Sequence, residues 1–428
     1  MTGSSSSQPS SSQQAVLQGA LAGQEIGAGI WVLPGQGNAV AACTDEGVVL
    51  IDAGNRAVQP GMAEFLRERT GDRIAAIIYS HGHQQYNAAV PLWIEAAENR
   101  GEAPPRLVAQ ENVLHRYRRY RETAELQARA WMMQFPSREE RPLGDYLADV
   151  DGDNHDPQET FREHMTVIEG SRPVEALSTP AETDDCLAVW FPTEGLLYGG
   201  PAVQGDTIPN IGTPLRSQRF TVRWADTLDR LAGLGAEKMI TEFGPLVEGA
   251  DQIRERLATT AEALRWLRAA VVERINRGMD EREMLADIEY PTEIFDRPWL
   301  TPNYGSPEYI ARDIYREENG WWDRNPTSLH PAAPGAAASA ILSAVDPEAV
   351  INRARALQEA GESQLALHVI DLVALAPGND GAVGEAKALK ARLCSARSRE
   401  VTPYVSMGLF LSNKLLLRRG KQSWQDLD

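Results

Sequence analysis

The 428-residue chain contains little cysteine. Its cysteines, Cys43, Cys186 and Cys394, are three in number and lie far apart. Such spacing provides neither a disulfide framework nor a cysteine-rich metal motif. Sparse, unpaired cysteines are typical of proteins in a reducing compartment, so we expect a cytoplasmic location.

Positive charge is also scarce, since 42 basic residues face 60 acidic ones and the formal net charge is -18. Proteins that bind nucleic acid or anionic membrane surfaces present basic faces, so we expect neither as a partner. A small anionic substrate is compatible with this charge, because a few local arginines are enough to bind it.

Long apolar runs are absent as well. None reaches the ~18 residues that a membrane-spanning helix needs. The first 22 residues are rich in serine and glutamine and lack the basic start and apolar centre of a signal peptide. We predict that residues 1–22 form a disordered tail.

Between residues 23 and 255, short apolar runs alternate with segments of helical periodicity. The runs "GIWVLPG", "NAVAACT" and "GVVLIDAG" predict an early β-meander, and "CLAVWFP" and "GLLYGG" predict later strands. Helical patterns separate these strands. The alternation predicts an α/β protein, specifically an αββα sandwich with its functional loops at strand ends.

The chain becomes helical after about Asp251. Residues 256–332 are predicted as a helical dimerisation segment. Residues 290–331 within it are rich in proline and tryptophan, a composition that predicts contact with a partner subunit, so we expect a homodimer. Residues 333–340 are predicted as a linker, and 341–428 as a C-terminal helical domain.

A histidine pair follows the apolar strand in "AAIIYSHGHQQY". His81 and His83 are two of only seven histidines in the chain. Two residues at i and i+2 can face one metal only on extended or loop backbone, because a helix would separate them by ~200°. The pair therefore predicts a metal site, and the alternative is that both rings merely satisfy loop backbone groups.

The segment Ser80-His81-Gly82-His83-Gln84-Gln85-Tyr86 resembles the [ST]-H-x-H-x-D-H motif of the metallo-β-lactamase fold, in its alkylsulfatase branch. "YGSPEYIARDIYREENGWWDRNPTSLHP" is similar to the alkylsulfatase dimerisation segment. The resemblance extends over roughly residues 25 to 420. It implies an αββα metallo-β-lactamase sandwich followed by an all-helical dimerisation and C-terminal region.

The resemblance assigns the first metal to His81, His83 and Glu182, with Asp184 or Asp185 as alternatives to the glutamate. The second-metal positions carry other residues, namely Gln85, Tyr86 and Phe243, with glycines at 199 and 200 in place of a bridging glutamate. Glutamine and phenol are poor ligands for such cations. We therefore expect one divalent metal ion per chain, Zn²⁺ or Fe²⁺, and regard complete loss of metal binding as the weaker alternative.

The resemblance also implies that Asn210 and Arg216 bind an anionic group of the substrate, with Arg219 as a second candidate. Tyr86 lies beside the metal by its place in the motif, and it either contacts the substrate or fills the volume of the missing metal. The helix around residues 129–133 is expected to line an apolar pocket or to form plain core.

These assignments predict a mononuclear metal-dependent hydrolase that acts on a small anionic organic substrate. One alternative is a non-heme Fe(II) oxygenase or lyase that uses the same two histidines and glutamate, in specialised metabolite biosynthesis. A second alternative is a non-catalytic dimeric scaffold.

Overall fold

The computed structural model describes residues 23–136, 142–152, 154–421 and 424–426, without the side chains of 149–152 and 426. The predicted tail, residues 1–22, lies outside the described residues. The described chain divides into two units. The first comprises residues up to 124 and 148–318, and the second comprises 125–147 and 319–428.

Thirteen strands lie in the first unit among the described residues: β1 Gln24–Gly27, β2 Ile30–Pro34, β3 Asn38–Thr44, β4 Gly47–Ile51, β5 Ile74–Ile78, β6 Arg106–Gln110, β7 Glu159–Phe161, β8 His164–Ile168, β9 Val174–Ser178, β10 Leu187–Phe191, β11 Leu196–Gly200, β12 Lys238–Thr241 and β13 Val247–Glu248.

The described α-helices are α1 Gln59–Arg69, α2 Val90–Glu98, α3 Asn112–Glu122, α4 Ala124–Gln134, α5 Leu143–Gly152, α6 Thr221–Ala232, α7 Ala250–Asn276, α8 Glu281–Asp287, α9 Thr292–Phe295, α10 Pro307–Asn319, α11 Pro334–Ala344, α12 Pro347–Glu359, α13 Ser363–Ala374, α14 Gly381–Glu400 and α15 Tyr404–Arg418.

The strands of the first unit form two sheets. The seven-stranded sheet runs in the order β1 to β7, and the six-stranded sheet in the order β13-β12-β11-β10-β9-β8. Strands β4 to β7 are mutually parallel, with Ile51 opposite Ile78 between β4 and β5. All five residues of β5 are buried, as expected for a parallel strand with both faces covered.

Apolar side chains fill three layers of this unit. Val49, Ile78 and Val189 belong to a cluster between the two sheets. The outer face of the seven-stranded sheet packs against α1, α2 and α3, and that of the six-stranded sheet against α6 and α7. The layers are thus helix, sheet, sheet and helix, and the predicted α/β sandwich is confirmed.

One predicted helix is divided in the structure. The sequence pattern predicts a continuous helix over about 111–135, but α3 ends at Glu122 and α4 begins at Ala124. Thr123 between them has φ −118° and ψ 30°, and its hydroxyl donates to the Arg119 carbonyl. A hydroxyl bonded back to the preceding turn competes with helix continuation. The break coincides with the change from the first unit to the second.

In the second unit, α12 and α13 form a helical hairpin that turns at Gly361, where φ is +80°. The sequence pattern here predicts two helices joined at Gly361 and a third from about Gly381, and the structure contains all three, the third being α14. The stretch 333–340 was expected to be a linker, but most of it lies in α11, whose proline stands in the first turn, where its missing N–H costs nothing. Met133 packs with Leu416 in this unit and is core rather than pocket lining.

None of the described helices combines the length and the apolar character needed to cross a membrane.

Candidate metal centre

The carboxyl ends of several strands meet at one edge of the sandwich and supply the site. His81 and His83 follow β5, and Glu182 follows β9. Residues 201–220 follow β11, and Glu242 follows β12 directly. Because β9, β11 and β12 run in the same sense within the six-stranded sheet, side chains distant in sequence are brought together at this edge.

His81, His83 and Glu182 lie close enough to share one metal ion, since one ligand atom from each lies within 4.8 Å of the others. Glu182 Oε2 is 3.4 Å from His83 Nδ1 and 3.7 Å from His81 Nε2, and the two nitrogens are 2.7 Å apart. Ligands of a tetrahedral zinc with bonds of about 2.1 Å lie about 3.4 Å apart. The three side chains therefore fit a metal after a small separation of the two nitrogens.

A buried network fixes the orientation of His81. Its Nδ1 is 2.9 Å from Ser80 Oγ, and Asp52 accepts hydrogen bonds from the Ser80 backbone N–H and from Asn87. Burial raises the pKa of Asp52 to about 6. With Nδ1 engaged by Ser80, Nε2 faces the other two ligands, an arrangement common among metal-binding histidines.

Both imidazoles are in the protonation state that metal binding needs. Burial lowers the pKa of His81 to about 3, with a further lowering by His83. Burial also lowers the pKa of His83. Neutral imidazole is the form that donates a lone pair to a metal.

Glu182 is held as an ionised carboxylate. Its Oε1 accepts a hydrogen bond from the Asn210 side chain at 2.8 Å and lies 3.2 Å from Arg219 Nη2. Burial opposes ionisation, but the hydrogen bond with His83 and the charge of Arg219 outweigh it and hold the pKa of Glu182 well below the usual range. The contacts of Oε1 therefore hold the carboxylate in place, and Oε2 is directed at the histidines.

The two alternative acidic ligands have another role. Arg116 binds Asp184 at 2.8 Å and Asp185 at 2.6 Å. Asp185 also accepts the Gly82 backbone N–H at 2.7 Å. A Cβ on Gly82 would lie 2.8 Å from that carboxylate, so glycine is required between the two histidines. Asp185 thus joins the histidine loop to the Glu182 loop, and the geometry favours Glu182 as the ligand.

Tyr86 contacts both the triad and a carboxylate that the sequence analysis did not single out. Its ring lies 4.4 Å from that of His81, and its hydroxyl donates to Glu242 Oε1. Gln204 lies 3.4 Å from the other Glu242 oxygen. Burial, with a further contribution from Glu182, raises the pKa of Glu242 well above its usual range. The sequence offered one indication of Glu242, namely its position as an acidic residue directly after the predicted strand "KMIT".

The other second-metal positions carry no metal ligand in the structure. Phe243 is buried, and Gly199 and Gly200 end β11. A Cβ on Gly199 would meet Val203 at 2.8 Å. Gln85 has a positive φ of 72°.

The predicted anion-binding residues separate into two groups. Asn210 is buried behind Glu182, and its oxygen accepts from Thr213 while its carbonyl accepts from Arg219. Arg216 is half-buried and interacts with Tyr304, a residue that the sequence analysis did not assign to the site. The arginine beside the triad is Arg219, the second candidate. The roles of Asn210 and Arg216 in substrate binding stay predictions.

A cavity of about 300 Å³ adjoins Glu182 within the first unit. Its lining combines the Glu182 loop, one face of α3 and the segment that leads into α6. Its cationic members are Arg116, Arg119, Arg219 and Arg223. A cavity of this size suits a small molecule, and this lining suits an anion.

Two family models match the chain. Residues 32–242 match the metallo-beta-lactamase superfamily, and residues 280–420 match the alkyl sulfatase dimerisation family. Among curated proteins, the chain is 26% identical over 342 residues to a linear primary-alkylsulfatase from Pseudomonas sp. The aligned residues cover 75% of this chain and 62% of that protein. The chain is 24% identical over 217 residues to an (R)-specific secondary-alkylsulfatase from Pseudomonas sp., covering 49% of this chain and 32% of the relative.

A solved stereoselective inverting sec-alkylsulfatase from Pseudomonas sp. has a similar fold. The TM-score is 0.79 at 20% identity, covering 93% of this chain and 66% of that structure. The chain therefore spans less than two thirds of the length of these relatives. Both family matches agree with the sandwich and the helices that follow it. Residues 32–242 are thus a metallo-beta-lactamase domain and residues 280–420 an alkyl sulfatase dimerisation domain, an arrangement consistent with the alkylsulfatase-like branch of that superfamily.

Proposed function

We propose that this protein is a metal-dependent hydrolase that holds one divalent metal ion and acts on a small anionic organic substrate. The observation that carries the proposal is the convergence of His81, His83 and Glu182, whose ligand atoms lie within 4.8 Å of one another at the strand ends. Similarity to alkylsulfatases supports hydrolysis of a sulfate ester as the reaction class.

The Tyr86–Glu242 pair supports a single metal. Tyr86 takes the motif position of a second-metal histidine, and its hydroxyl is committed to the carboxylate of Glu242. The other Glu242 oxygen accepts a hydrogen bond from the Gln204 side chain at 3.4 Å. Phe243 at the other histidine position offers no donor atom.

When bound, a divalent metal would supply Lewis-acid polarisation and activation of water. The protein's own residues provide the rest. Asn210 and Arg219 hold Glu182 ionised, Ser80 orients His81, and burial keeps both imidazoles neutral. The arginines of the adjoining cavity would draw an anionic group toward the triad.

Two histidines and one carboxylate suit zinc and ferrous iron alike. Elemental analysis of anaerobically purified protein distinguishes the two metals, and we expect about one equivalent per chain. Two equivalents would overturn the single-metal proposal. Oxygen consumption that depends on iron would contradict the hydrolase proposal and favour the oxygenase alternative.

The decisive variant is His83→Ala, with His115→Ala as its matched control. His115 lines the cavity but is exposed and lies outside the triad. We expect His83→Ala to lose the metal and to lose sulfate release from a short alkyl sulfate such as propyl sulfate, and His115→Ala to keep the metal. Full metal content and activity in His83→Ala would contradict the proposal.

We also propose a cytoplasmic homodimer. The dimerisation-family match over residues 280–420 supports the dimer. The cysteines, which are free in the structure, support a reducing compartment.

A further inference from the structure

We propose that the cavity beside Glu182 selects a substrate with a second anionic group, which Arg119 and Arg223 bind. The inference rests on the proposed function for the placement of the first anionic group at the triad. It concerns residues that neither the histidine motif nor the predicted anion-binding segment includes.

Two of the four cavity arginines are structural. Arg116 is buried and bound to Asp184 and Asp185, and Arg219 is buried and lies 3.2 Å from Glu182. Their charges are balanced by carboxylates that belong to the ligand loop. Removing either arginine would leave a buried carboxylate without its partner, so neither is free to take a substrate anion as its main partner.

Arg119 and Arg223 differ, because neither forms an ion pair with another described residue. Arg119 is half-buried on α3, with its guanidinium carbon 6.0 Å from the Tyr120 ring centre. Arg223 is exposed on α6, with its guanidinium carbon 5.0 Å from the centre of the Phe220 ring. The charge of Arg223 acts on the pKa of Glu317, but the two groups lie farther apart than an ion pair. Two rigid elements thus present guanidinium groups to one cavity.

The charge balance favours a substrate with more than one negative group. Four guanidinium groups face three carboxylates, namely Glu182, Asp184 and Asp185. A divalent metal at the triad adds two positive charges. A monoanionic sulfate ester would leave most of this excess unneutralised, whereas a second anionic group placed between Arg119 and Arg223 compensates it.

The same lining disfavours a long alkyl chain. A chain in this cavity would cover Arg119 and Arg223 without offering them hydrogen-bond acceptors, and the desolvation of two guanidinium groups is unfavourable. The substrate class that fits is a small organic sulfate ester with a carboxylate, sulfonate or second sulfate at its far end.

The test measures the binding of propane-1-sulfonate and propane-1,3-disulfonate to metal-loaded protein by isothermal titration calorimetry. Hexane-1,6-disulfonate samples a longer spacing. Neither probe type contains a hydrolysable ester, so binding is measured apart from turnover. We expect the better disulfonate to bind at least about tenfold more tightly than the monosulfonate, as two bidentate arginine contacts allow.

The Arg119→Gln/Arg223→Gln double variant should reduce this preference to less than threefold, because its disulfonate affinity falls more than its monosulfonate affinity. Arg118→Gln is the matched control, because Arg118 is the exposed neighbour on α3 and does not line the cavity. It should keep the full preference, and circular dichroism should show all variants folded.

A disulfonate that binds no more tightly than the monosulfonate overturns the inference, as does a double variant that keeps the preference. A disulfonate preference in a protein that holds metal but hydrolyses no sulfate ester would sink the proposed function and uphold the cavity assignment. The reverse result, hydrolysis without the preference, would uphold the function alone.

Discussion

At the scale of single residues, the candidate site depends on groups that do not touch the metal position. Asp52 is fully buried, and it accepts hydrogen bonds from Ser80, Asn87 and, at 3.3 Å, Tyr198. These donors replace part of the hydration that burial removes, yet burial still raises the pKa of Asp52 to about 6. An ionised Asp52 therefore destabilises the fold at neutral pH. What Asp52 contributes in return is the orientation of Ser80, which in turn orients His81.

Asp52→Asn should change the pH dependence of stability in chelator-treated protein. A folded pKa of about 6 exceeds the unfolded value of about 3.9, so the protonated form is the one that folding favours. The wild-type contribution is fully present below pH 3.9 and is lost as the pH rises through 6. Relative to the variant, wild-type stability should fall by about 3 kcal/mol across that window.

Urea denaturation at pH 4 to 8 measures this difference. Parallel stability curves for the two proteins would show that Asp52 does not titrate in the folded state. Asn87→Ala serves as a control, because it removes one donor to the Asp52 oxygen and should raise the pKa of Asp52 further.

At the scale of structural elements, the loop after β11 positions the back of the site. Residues 201–220 carry Gln204, Asn210 and Arg219, and Asp313 on α10 accepts the Arg219 backbone N–H at 3.1 Å. Gly212 lies where this loop meets α10, with φ +68°, and a Cβ there would be 2.0 Å from the Tyr309 carbonyl oxygen. The close approach of loop and helix thus holds the groups that contact Glu182.

Gly212→Ala should destabilise the protein by at least about 2 kcal/mol more than Gly278→Ala. Both glycines have positive φ, which costs a side chain about 1 kcal/mol, but a Cβ on Gly278 meets nothing within 4 Å. Denaturant unfolding gives the two differences. Gly212→Ala should also weaken metal binding, because the loop holds Glu182 through Asn210 and Arg219. Equal losses of stability would show that the loop can retreat from α10.

At the scale of the whole molecule, the match over residues 280–420 joins α10 of the first unit to the helices of the second. Much of the tryptophan-rich segment packs within its own unit, since Trp299 and Phe295 lie against the cluster beneath α7. Trp321 in the second unit is 72% exposed. An exposed tryptophan in a dimerisation-family region is a candidate anchor for the partner subunit.

We predict that the 47.0 kDa chain sediments as a dimer at micromolar concentration. Trp321→Glu should weaken the dimer by about tenfold or more, because it places a charge at a desolvated contact. Val222→Glu is the control, since Val222 is an exposed apolar residue outside the matched region. Sedimentation velocity over a concentration series measures both, and a wild-type monomer would contradict the homodimer proposal.

The sequence by itself predicted the sandwich and the histidine pair, because apolar periodicity and the position of a residue after a strand are local properties. Glu182 was implied by the family resemblance alone, with Asp184 and Asp185 left as alternatives until the structure placed them on Arg116. It could not identify Glu242, since an acidic residue after a strand is common and only the fold brings it to Tyr86. It ranked Arg216 above Arg219, because spacing does not reveal which guanidinium reaches Glu182. The separation of structural from unpaired cavity arginines was likewise decided by the tertiary structure, which alone sets which charges meet.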